Sequence, residues 1–367
     1  MINLERQDLL DILYGCTILG TGGGGSLENG IEKIDQAFEA GKTFTLVDFG
    51  EIDPTDLIVT PYCCGAISPE TEEDRKKYEG LPVQQEVPQV LALKEMEKYL
   101  GQEVKAVIST ELGGGNTAVA FYSAAMAGKL IVDGDPAGRS VPELQHSTYY
   151  LNDIPIHPIA VVNEFGESAI ITNVINDYRA ESLVRALAIV SNNQIAVVDH
   201  VQPAGILKNA VIRGAITDAW KIGKAYRIAH EKRQDPVSAV IEAGQGALLF
   251  TGVVRSNEWG TVEGFTVGDV ILDGTGSYRG DEYKIWYKNE NIITWKNGNF
   301  HATVPDLVCI INTETGKPVM NPYFGKNMLV AVYALPAPTV WTTEKGLAVL
   351  GPRSFGFDLT WRPFDQL

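Results

Sequence analysis

Apolar residues recur at helical spacing near the start of the chain, where Leu9, Ile12, Leu13 and Ile18 fall mainly on one side. The pattern predicts an amphipathic helix over residues 4–19. Similar spacing predicts further helices, at residues 30–42, 88–102, 117–129, 181–192 and 204–233. Short apolar runs that are typical of strands lie between them, at residues 43–49, 56–65, 104–110 and 130–135.

Strands and helices therefore alternate through the first 135 residues, which predicts a three-layer α/β domain with a mostly parallel sheet. From residue 247 onward, short apolar runs are separated by turn signals such as Asn297–Gly298. This region predicts a β-rich, barrel-like domain. We expect an α/β domain at 1–238, a β-rich domain at 239–350, and a tail at 351–367 that packs on the first domain.

The net charge limits the classes of partner that the protein is expected to bind. The chain of 367 residues has 46 Asp and Glu against 30 Lys and Arg, a net charge of -16. Such a surface repels nucleic acid and anionic membranes. The N-terminus lacks the apolar core of a signal peptide, and no run is long enough to span a membrane. We expect a soluble cytoplasmic protein, and a homo-oligomer as the default.

The glycine-rich stretch LGTGGGGSLENG at 19–30 allows three interpretations. Its consecutive glycines are Gly22, Gly23, Gly24 and Gly25. Free amides before a helix can bind phosphate, but neither the Lys-Ser/Thr of a P-loop nor a preceding strand is present. A tight turn without room for Cβ atoms is the second interpretation. The third, which we favour, has the amides facing a small polar substrate or an oxyanion.

A dense polar cluster follows an apolar strand in VDGDPAGRSVPELQH at 132–146. Asp133 and Asp135 are spaced to activate water or to hold a divalent metal ion. Arg139 can bind a substrate carboxylate through two hydrogen bonds. A helix that begins at Pro142 would place Glu143 and His146 on one face. The alternative is a solvated loop with a salt bridge and a helix start.

Other polar residues have weaker patterns. Asn116 in ELGGGNT can hold a substrate amide or cap the next helix. Cys63 and Cys64 end a strand without a motif that supplies a base, so buried structural thiols are the preferred interpretation. The five histidines form no HExxH or HxH motif, although His200 ends the apolar run VVDHVQPAG and invites a test.

Four motifs in a fixed order carry a family resemblance. They are GTGGGG at 20–25, ELGGGN at 111–116, VDGDPAGRSVPELQ at 132–145 and GPRSFGFD at 351–358. The chain resembles the S-methyl thiohydantoin desulfurase family, long labelled hydantoinase/oxoprolinase-like. The resemblance covers almost the whole chain. It implies hydrolysis of a five-membered cyclic imide or thioimidate in the catabolism of nitrogen heterocycles.

Ten residues match the motifs of this family: Gly22, Gly23, Gly24, Gly25, Asn116, Asp133, Asp135, Arg139, Glu143 and Gln145. We hypothesise a hydrolase of a small polar cyclic substrate, with catalysis by Asp133, Asp135 and Glu143. The other seven would bind the substrate. The cofactor is left open, a divalent metal on Asp133 and Asp135 being one possibility. A nucleotide-dependent enzyme and a non-catalytic subunit of a hydantoinase-type complex are the alternatives.

Overall fold

The computed structural model describes residues 1–65 and 72–367. The α-helices in these residues are α1 (Arg6–Leu19), α2 (Leu27–Glu39), α3 (Glu72–Tyr78), α4 (Pro88–Leu100), α5 (Gly114–Ala127), α6 (Thr148–Leu151), α7 (Asp177–Ile189), α8 (Ala204–Leu207), α9 (Ala215–Glu231), α10 (Pro236–Gly244) and α11 (Glu344–Leu350). In this part of the chain, no helix combines the length and the apolar character needed to cross a membrane.

The strands fall into two large sheets and one small pair. They are β1 (Ile2–Leu4), β2 (Phe44–Val47), β3 (Leu57–Gly65), β4 (Ala106–Val107), β5 (Leu130–Val132), β6 (Gly134–Asp135), β7 (Ile159–Val162), β8 (Ser168–Ile171), β9 (Gln194–Pro203), β10 (Ile212–Arg213), β11 (Ala247–Val262), β12 (Phe265–Gly274), β13 (Glu282–Lys288), β14 (Glu290–Lys296), β15 (Asn299–Thr303), β16 (Leu307–Asn312) and β17 (Leu329–Leu335).

The first sheet has eight strands in the order β1-β2-β5-β4-β3-β9-β7-β8. Only the central pairs β2–β5, β5–β4 and β4–β3 are parallel. The outer pairs, including β3–β9, are antiparallel. The α/β prediction is confirmed, but the expectation of a mostly parallel sheet is wrong. Strands and helices alternate only through the first 135 residues, and this alternation is what indicates parallel strands joined by helices. The later strands β7, β8 and β9 join the sheet as antiparallel strands.

Both faces of this sheet are covered, because successive side chains of a strand point to opposite sides. Val59 and Val107 pack in a core with side chains of α1, α2, α4, α5 and α9. Their neighbours Ile58 and Ala106 face the other way, into a core that includes residues of α6 and α8. Helix α7 covers the end of this second face through Ala180. The sheet therefore lies in the middle of the N-terminal half.

One predicted helix was too long. We predicted a helix over 204–233, but α8 ends at Leu207 and α9 begins only at Ala215. Gly214 has a φ of 78° at the start of α9, a conformation that favours glycine. Between the two helices, Ile212 and Arg213 pair with β6. The spacing of apolar residues did not reveal this break, because α9 has an apolar face of its own, which packs against α1.

The second sheet contains seven antiparallel strands in the order β15-β14-β13-β12-β11-β17-β16. It curls into a half-barrel whose edge strands are β15 and β16, so the barrel-like prediction holds only in this open form. Asn297 and Gly298 join β14 to β15 with φ values of 51° and 79°. A two-residue turn with both φ values positive matches the twist of a hairpin. The Asn-Gly turn signal is thus confirmed.

The two sheets belong to separate stretches of the chain. The eight-stranded sheet ends with β9 at Pro203, and the half-barrel begins at Ala247. In the C-terminal tail, Trp361 Nε1 and the Phe364 amide donate to Asp306, and the Phe355 ring lies 5.2 Å from the His146 ring. The tail therefore contacts both halves. The division at 238/239 stays a prediction.

A buried guanidinium connects the two halves. Arg139 is completely buried, between β6 and α6. It donates to five oxygens, those of Thr21 (side chain), Ser140, Asn291, Pro305 and Asp306 (main chain), at 2.9–3.4 Å. Every nitrogen of the guanidinium is used by these bonds. Arg139 thus fastens the segment before the glycines to the half-barrel.

We predict that Arg139→Met lowers the free energy of unfolding by about 3–5 kcal/mol, because it leaves several buried oxygens without a donor. Chemical denaturation measures the change. Arg6→Met is the matched control, because Arg6 is exposed and pairs with Asp35 at the surface. The control should lose less than about 1 kcal/mol. Equal losses in the two variants would contradict a structural role for Arg139.

Candidate functional site

A cleft of about 1430 Å³ lies between the two halves of the protein. Its N-terminal wall contains the carboxyl ends of β3 and β4 and residues of α2 and α5. Its C-terminal wall contains residues before β14 and around Asn321. Ligands of α/β sheets bind at the carboxyl ends of strands, so the position suits a binding site. Of the segment 63–68 at the end of β3, the structure describes Cys63, Cys64 and Gly65.

His200 occupies an unusual position in the wall of this cleft. The register of β3 and β9 shifts between Ile58 and Thr60, which leaves His200 and Val201 opposite a single residue of β3. Such a bulge redirects a side chain. His200 also has a φ of 46°, which is uncommon for a residue with a side chain. The local backbone is therefore shaped around this imidazole.

Two neighbours contact the His200 ring, and a third holds one of them. Asp199 Oδ1 lies 2.7 Å from His200 Nδ1, and Asp199 Oδ2 accepts a 2.7 Å hydrogen bond from Tyr62 Oη. The Tyr149 ring packs against the imidazole at 4.3 Å between centroids. All four side chains are buried and line the cleft. When Nδ1 carries the proton and donates it in the hydrogen bond to Asp199, the lone pair of Nε2 is free to accept a proton.

The Nε2 atom of His200 has no hydrogen-bond partner among the described residues. The nearest carboxylate, Asp177 Oδ1, lies 3.9 Å away, which is too long for a direct hydrogen bond. A carboxylate on one imidazole nitrogen and an unpartnered second nitrogen are the arrangement of a general base that activates water or a hydroxyl group. The pair of His200 and Asp199 is therefore suited to proton transfer at the cleft.

A second polar group lies where β4 leads into α5. Asn116 Nδ2 donates to Glu111 Oε1 at 2.7 Å, and Asn116 Oδ1 accepts from the Cys63 amide at 3.0 Å. The Val141 amide donates to the other oxygen of Glu111 at 2.9 Å. Burial raises the pKa of Glu111 to about 7, although these hydrogen bonds oppose the shift. Glu111 can therefore gain or lose a proton near neutral pH.

The half-barrel contributes a third group, Glu290. Its side chain is 2% exposed and lines the cleft at the start of β14. Burial and the negative charge of Glu111 raise its pKa well above the usual value of 4.5. A Cβ atom on Gly23 would lie 1.8 Å from Glu290 Oε1. The glycine loop, residues 20–25, thus makes room for this carboxyl group.

Comparison with known families assigns both halves of the chain. Residues 7–173 match the S-Me-THD-like N-terminal domain, and residues 175–364 match the S-Me-THD-like C-terminal domain. The chain belongs to the S-Me-THD-like family. This is the S-methyl thiohydantoin desulfurase family that the four sequence motifs resemble, and the resemblance is confirmed.

Among solved structures, a crystal structure of a protein from Chromobacterium violaceum is similar over the full length of both chains. The two sequences are 21% identical, and the TM-score is 0.79. At this level of identity the similarity shows a shared fold. No curated protein matches the chain.

The glycines of the S-Me-THD-like motif divide into two pairs. Gly24 and Gly25 line the cleft, whereas Gly22 and Gly23 do not. A Cβ on Gly22 would lie 2.6 Å from Asn321 Nδ2, and a Cβ on Gly24 would lie 2.5 Å from the Gly113 Cα. Close packing therefore accounts for the run of glycines. Amides of Gly24 and Gly25 that face a substrate stay a prediction.

Two other motif residues lie away from the cleft. Both carboxylate oxygens of Asp133 accept hydrogen bonds from Thr217, at 3.0 and 2.6 Å, at the start of α9. Asp135 is fully buried, and its Oδ1 accepts from the Gly138 amide at 2.7 Å. Neither side chain lines the cleft. Activation of water by Asp133 and Asp135 therefore stays a prediction, and Asp135 Oδ2 has no hydrogen-bond partner among the described residues.

The metal hypothesis depended on the same two residues. Among residues 1–65 and 72–367, no group of three or more His, Cys, Asp or Glu side chains is arranged to hold a metal ion. Arg139 also lies outside the cleft lining, since its nitrogens bind protein oxygens. Its role in binding a substrate carboxylate stays a prediction beside the structural role described above.

The residues after Pro142 form turns and not the predicted helix, which begins only at Thr148. Glu143 does line the cleft, but it pairs with Lys288 Nζ at 3.1 Å. Gln145 is buried and does not line the cleft. Burial lowers the pKa of His146 to about 4, so the imidazole is neutral at physiological pH. A catalytic role for Glu143 stays a prediction.

The prediction of buried thiols is confirmed for Cys64 but not for Cys63. Cys64 is buried, and Cys63 is half-buried at the cleft. Burial raises the pKa of the Cys63 thiol to about 11, although nearby Lys33 opposes the shift. A thiol with this pKa is almost fully protonated at neutral pH and is a weak nucleophile. Cys63 lines the cleft, and its raised pKa does not favour a nucleophilic role.

We predict that Gly23→Ala destabilises the protein by about 1–3 kcal/mol, because the new methyl group and the Glu290 carboxyl cannot both occupy the same space. Chemical denaturation tests this. Gly260→Ala is the matched control, since a Cβ there meets nothing within 4 Å. Similar stabilities of the two variants would contradict close packing at Gly23.

A second prediction concerns the pH dependence of stability. The folded pKa of Glu111, about 7, is raised above the ordinary value of 4.5. Below 4.5 the group is protonated in both states, so its contribution is fully present there and is lost as the pH rises towards 7. In this window, wild-type stability relative to Glu111→Gln should fall by about 1.4 kcal/mol per pH unit.

Urea titrations across this pH range provide the measurement. The control is Glu103→Gln, because the Glu103 side chain is 91% exposed. Its stability relative to the wild type should not change with pH in this way. Parallel curves for Glu111→Gln and wild type would show that Glu111 ionises normally in the folded protein.

Proposed function

We propose that this protein hydrolyses a five-membered hydantoin-like ring that carries a methylthio group, releasing methanethiol and leaving a ring carbonyl. Two findings support the proposal: membership of the S-Me-THD-like family and the base that the cleft presents. The observation that carries it is His200, which is held by Asp199 and has an unpartnered Nε2 at the cleft.

His200 is the general base of this proposal. Its Nε2 takes a proton from water as the water oxygen attacks the ring carbon that carries sulfur. Asp199 keeps the second imidazole nitrogen protonated and stabilises the imidazolium ion that forms. Tyr62 fixes the other oxygen of Asp199. The protonated imidazole then donates its proton to the departing methylthiolate.

The opposite parts of the cleft bind the ring. The Gly24 and Gly25 amides are candidate donors to ring oxygen, because both residues line the cleft. Asn116 is less free to bind substrate, because its side chain already joins Glu111 to the Cys63 amide. Asn116 therefore positions Glu111 at the wall of the cleft.

A nucleotide on the glycine loop gains no support from its contacts. Gly22 O accepts from the Asn321 amide at 2.9 Å, and Gly24 O accepts from the amides of Gly115 and Asn116 at 2.9 and 3.0 Å. At the N-terminus of α2, the helix that follows the loop, the Asn29 amide already donates to Ser26 Oγ at 3.2 Å and is not free for a phosphate. We therefore propose no nucleotide-dependent function.

The first experiment measures methanethiol release from an S-methyl thiohydantoin by the wild type and by His200→Gln. The variant should lose at least about 100-fold in kcat, because glutamine cannot accept the proton of water. Asp199→Asn should also lower kcat, because the imidazole is then no longer held in the reactive tautomer.

His301→Gln is the matched control, since His301 is half-buried in β15 and does not line the cleft. It should keep wild-type turnover. Activity of His200→Gln close to that of His301→Gln would remove His200 as the base. If the wild type released no methanethiol, the proposed reaction itself would be wrong.

A further inference from the structure

The Glu290 side chain has no role in the hydrolysis as described above, although it reaches the same cleft. It is 2% exposed, and its Oε2 has no hydrogen-bond partner in the described part of the chain. Glu290 Oε1 lies against Gly23, the position where a Cβ atom would come within 1.8 Å. A buried polar atom without a partner costs free energy, so its persistence at a cleft suggests a ligand.

The charges around Glu290 do not compensate an ionised carboxylate. Glu111 adds a second buried carboxyl group, which disfavours ionisation of Glu290. Arg139 and Arg185 favour ionisation from nearby, as does the Glu290 amide. Neither arginine forms an ion pair with Glu290 among the described residues, because Arg139 binds oxygens elsewhere and Arg185 pairs with Glu181. Burial is the largest of these effects, so the pKa of Glu290 is raised well above its usual value and the neutral acid is stabilised.

A neutral carboxyl group carries one hydrogen-bond donor and one acceptor side by side. That edge is complementary to the adjacent N–H and C=O of a cyclic amide or imide, and its O–H can donate to the ring nitrogen of a thioimidate. An ionised carboxylate would have only acceptors. Glu290 is thus suited to a heterocycle that presents both an acceptor and a donor.

We propose that Glu290 is the acid of this cleft, binding the N–C=X edge of the ring and protonating the ring nitrogen during hydrolysis. This inference rests on the proposed function and names the group that completes it. The partner groups sit on different halves of the protein, with His200 on β9 and Glu290 on β14. The reaction therefore needs both halves to be assembled.

The proton balance closes with these two groups. Water attacks the ring carbon and forms a C–O bond, His200 takes one water proton, and the C=N electron pair moves to nitrogen, which receives the Glu290 proton. The C–S bond then breaks with its electron pair on sulfur. Methanethiolate takes the proton held by His200, and the remaining hydroxyl proton returns to Glu290 as the carbonyl forms. Water and thioimidate give amide and methanethiol.

Infrared difference spectroscopy at neutral pH tests the protonation state without any turnover. The wild type should show the C=O band of a protonated carboxylic acid that Glu290→Gln lacks. Hydantoin, a ring without the leaving group, is the binding probe and should shift this band in the wild type. Glu32→Gln is the matched control, because Glu32 is an exposed carboxylate at the same cleft.

The kinetic and binding arms use two variants. Glu290→Gln keeps a donor and an acceptor but cannot give up a proton, so kcat should fall about 100-fold while KM changes less than about threefold. Glu290→Ala removes the edge and should weaken hydantoin binding, measured by calorimetry, by about tenfold or more. Glu32→Gln should match the wild type in both measurements.

The outcomes separate the two proposals. If the wild type releases methanethiol and Glu290→Gln does so within about twofold, the role of Glu290 is wrong and the proposed function stands. If the wild type releases no methanethiol, the proposed function fails. The carboxylic acid band, measured with and without hydantoin, then still shows whether Glu290 binds the ring. If folded Glu290→Gln shows the same carboxylic acid band as the wild type, the inference is wrong. If Glu290→Gln does not fold, a wild-type band that hydantoin fails to shift overturns it.

Discussion

The close contact between the glycine loop and the segments around it joins the two walls of the cleft. Gly24 O accepts two amides at the start of α5, Thr21 O accepts the Asn291 amide, and Gly22 O accepts the Asn321 amide. One loop thus fixes the N-terminal wall and the C-terminal wall at once. Because Cβ atoms at Gly22, Gly23 or Gly24 would each collide with a neighbour, the walls can approach this closely only with glycine there.

Arg139 strengthens this contact between the glycine loop and the half-barrel. A charge buried so completely is tolerated only when its donors are satisfied, and here five protein oxygens satisfy them. The resemblance to a family identified Arg139 as a motif residue but could not distinguish a ligand of the substrate from a ligand of the fold. Asp133 is a similar case, since its carboxylate caps α9. Membership of a motif shows that a residue is important, but it does not show whether the residue serves the fold or the substrate.

Much of the fold could be predicted from local pattern. The helices α1, α2, α4 and α5 follow from helical spacing, and the hairpin at Asn297–Gly298 follows from turn chemistry. Strand direction could not be predicted in the same way, because β9 pairs antiparallel with β3 through contacts more than a hundred residues apart in sequence. Local propensity carries no information about such pairings.

The site was harder to predict for a related reason. Asn116 and the glycines were found through motifs, and His200 was noted only as the end of an apolar run. Its pairing with Asp199 is visible as adjacent letters, but the bulge that turns the ring into the cleft is a property of two strands. Glu290 has no signal in the sequence at all. It lies in an ordinary hairpin of charged residues and acquires its importance only when the glycine loop covers it.

The bulge at His200 implies a conflict between folding and chemistry at that position. A left-handed backbone conformation at a residue other than glycine costs about 1–3 kcal/mol, which glycine or asparagine would largely avoid. A chain shaped by foldability alone would therefore carry one of those residues there. Searches for more stable variants of this protein will tend to discard its histidine, so thermal stability is an unreliable guide to which variants still function.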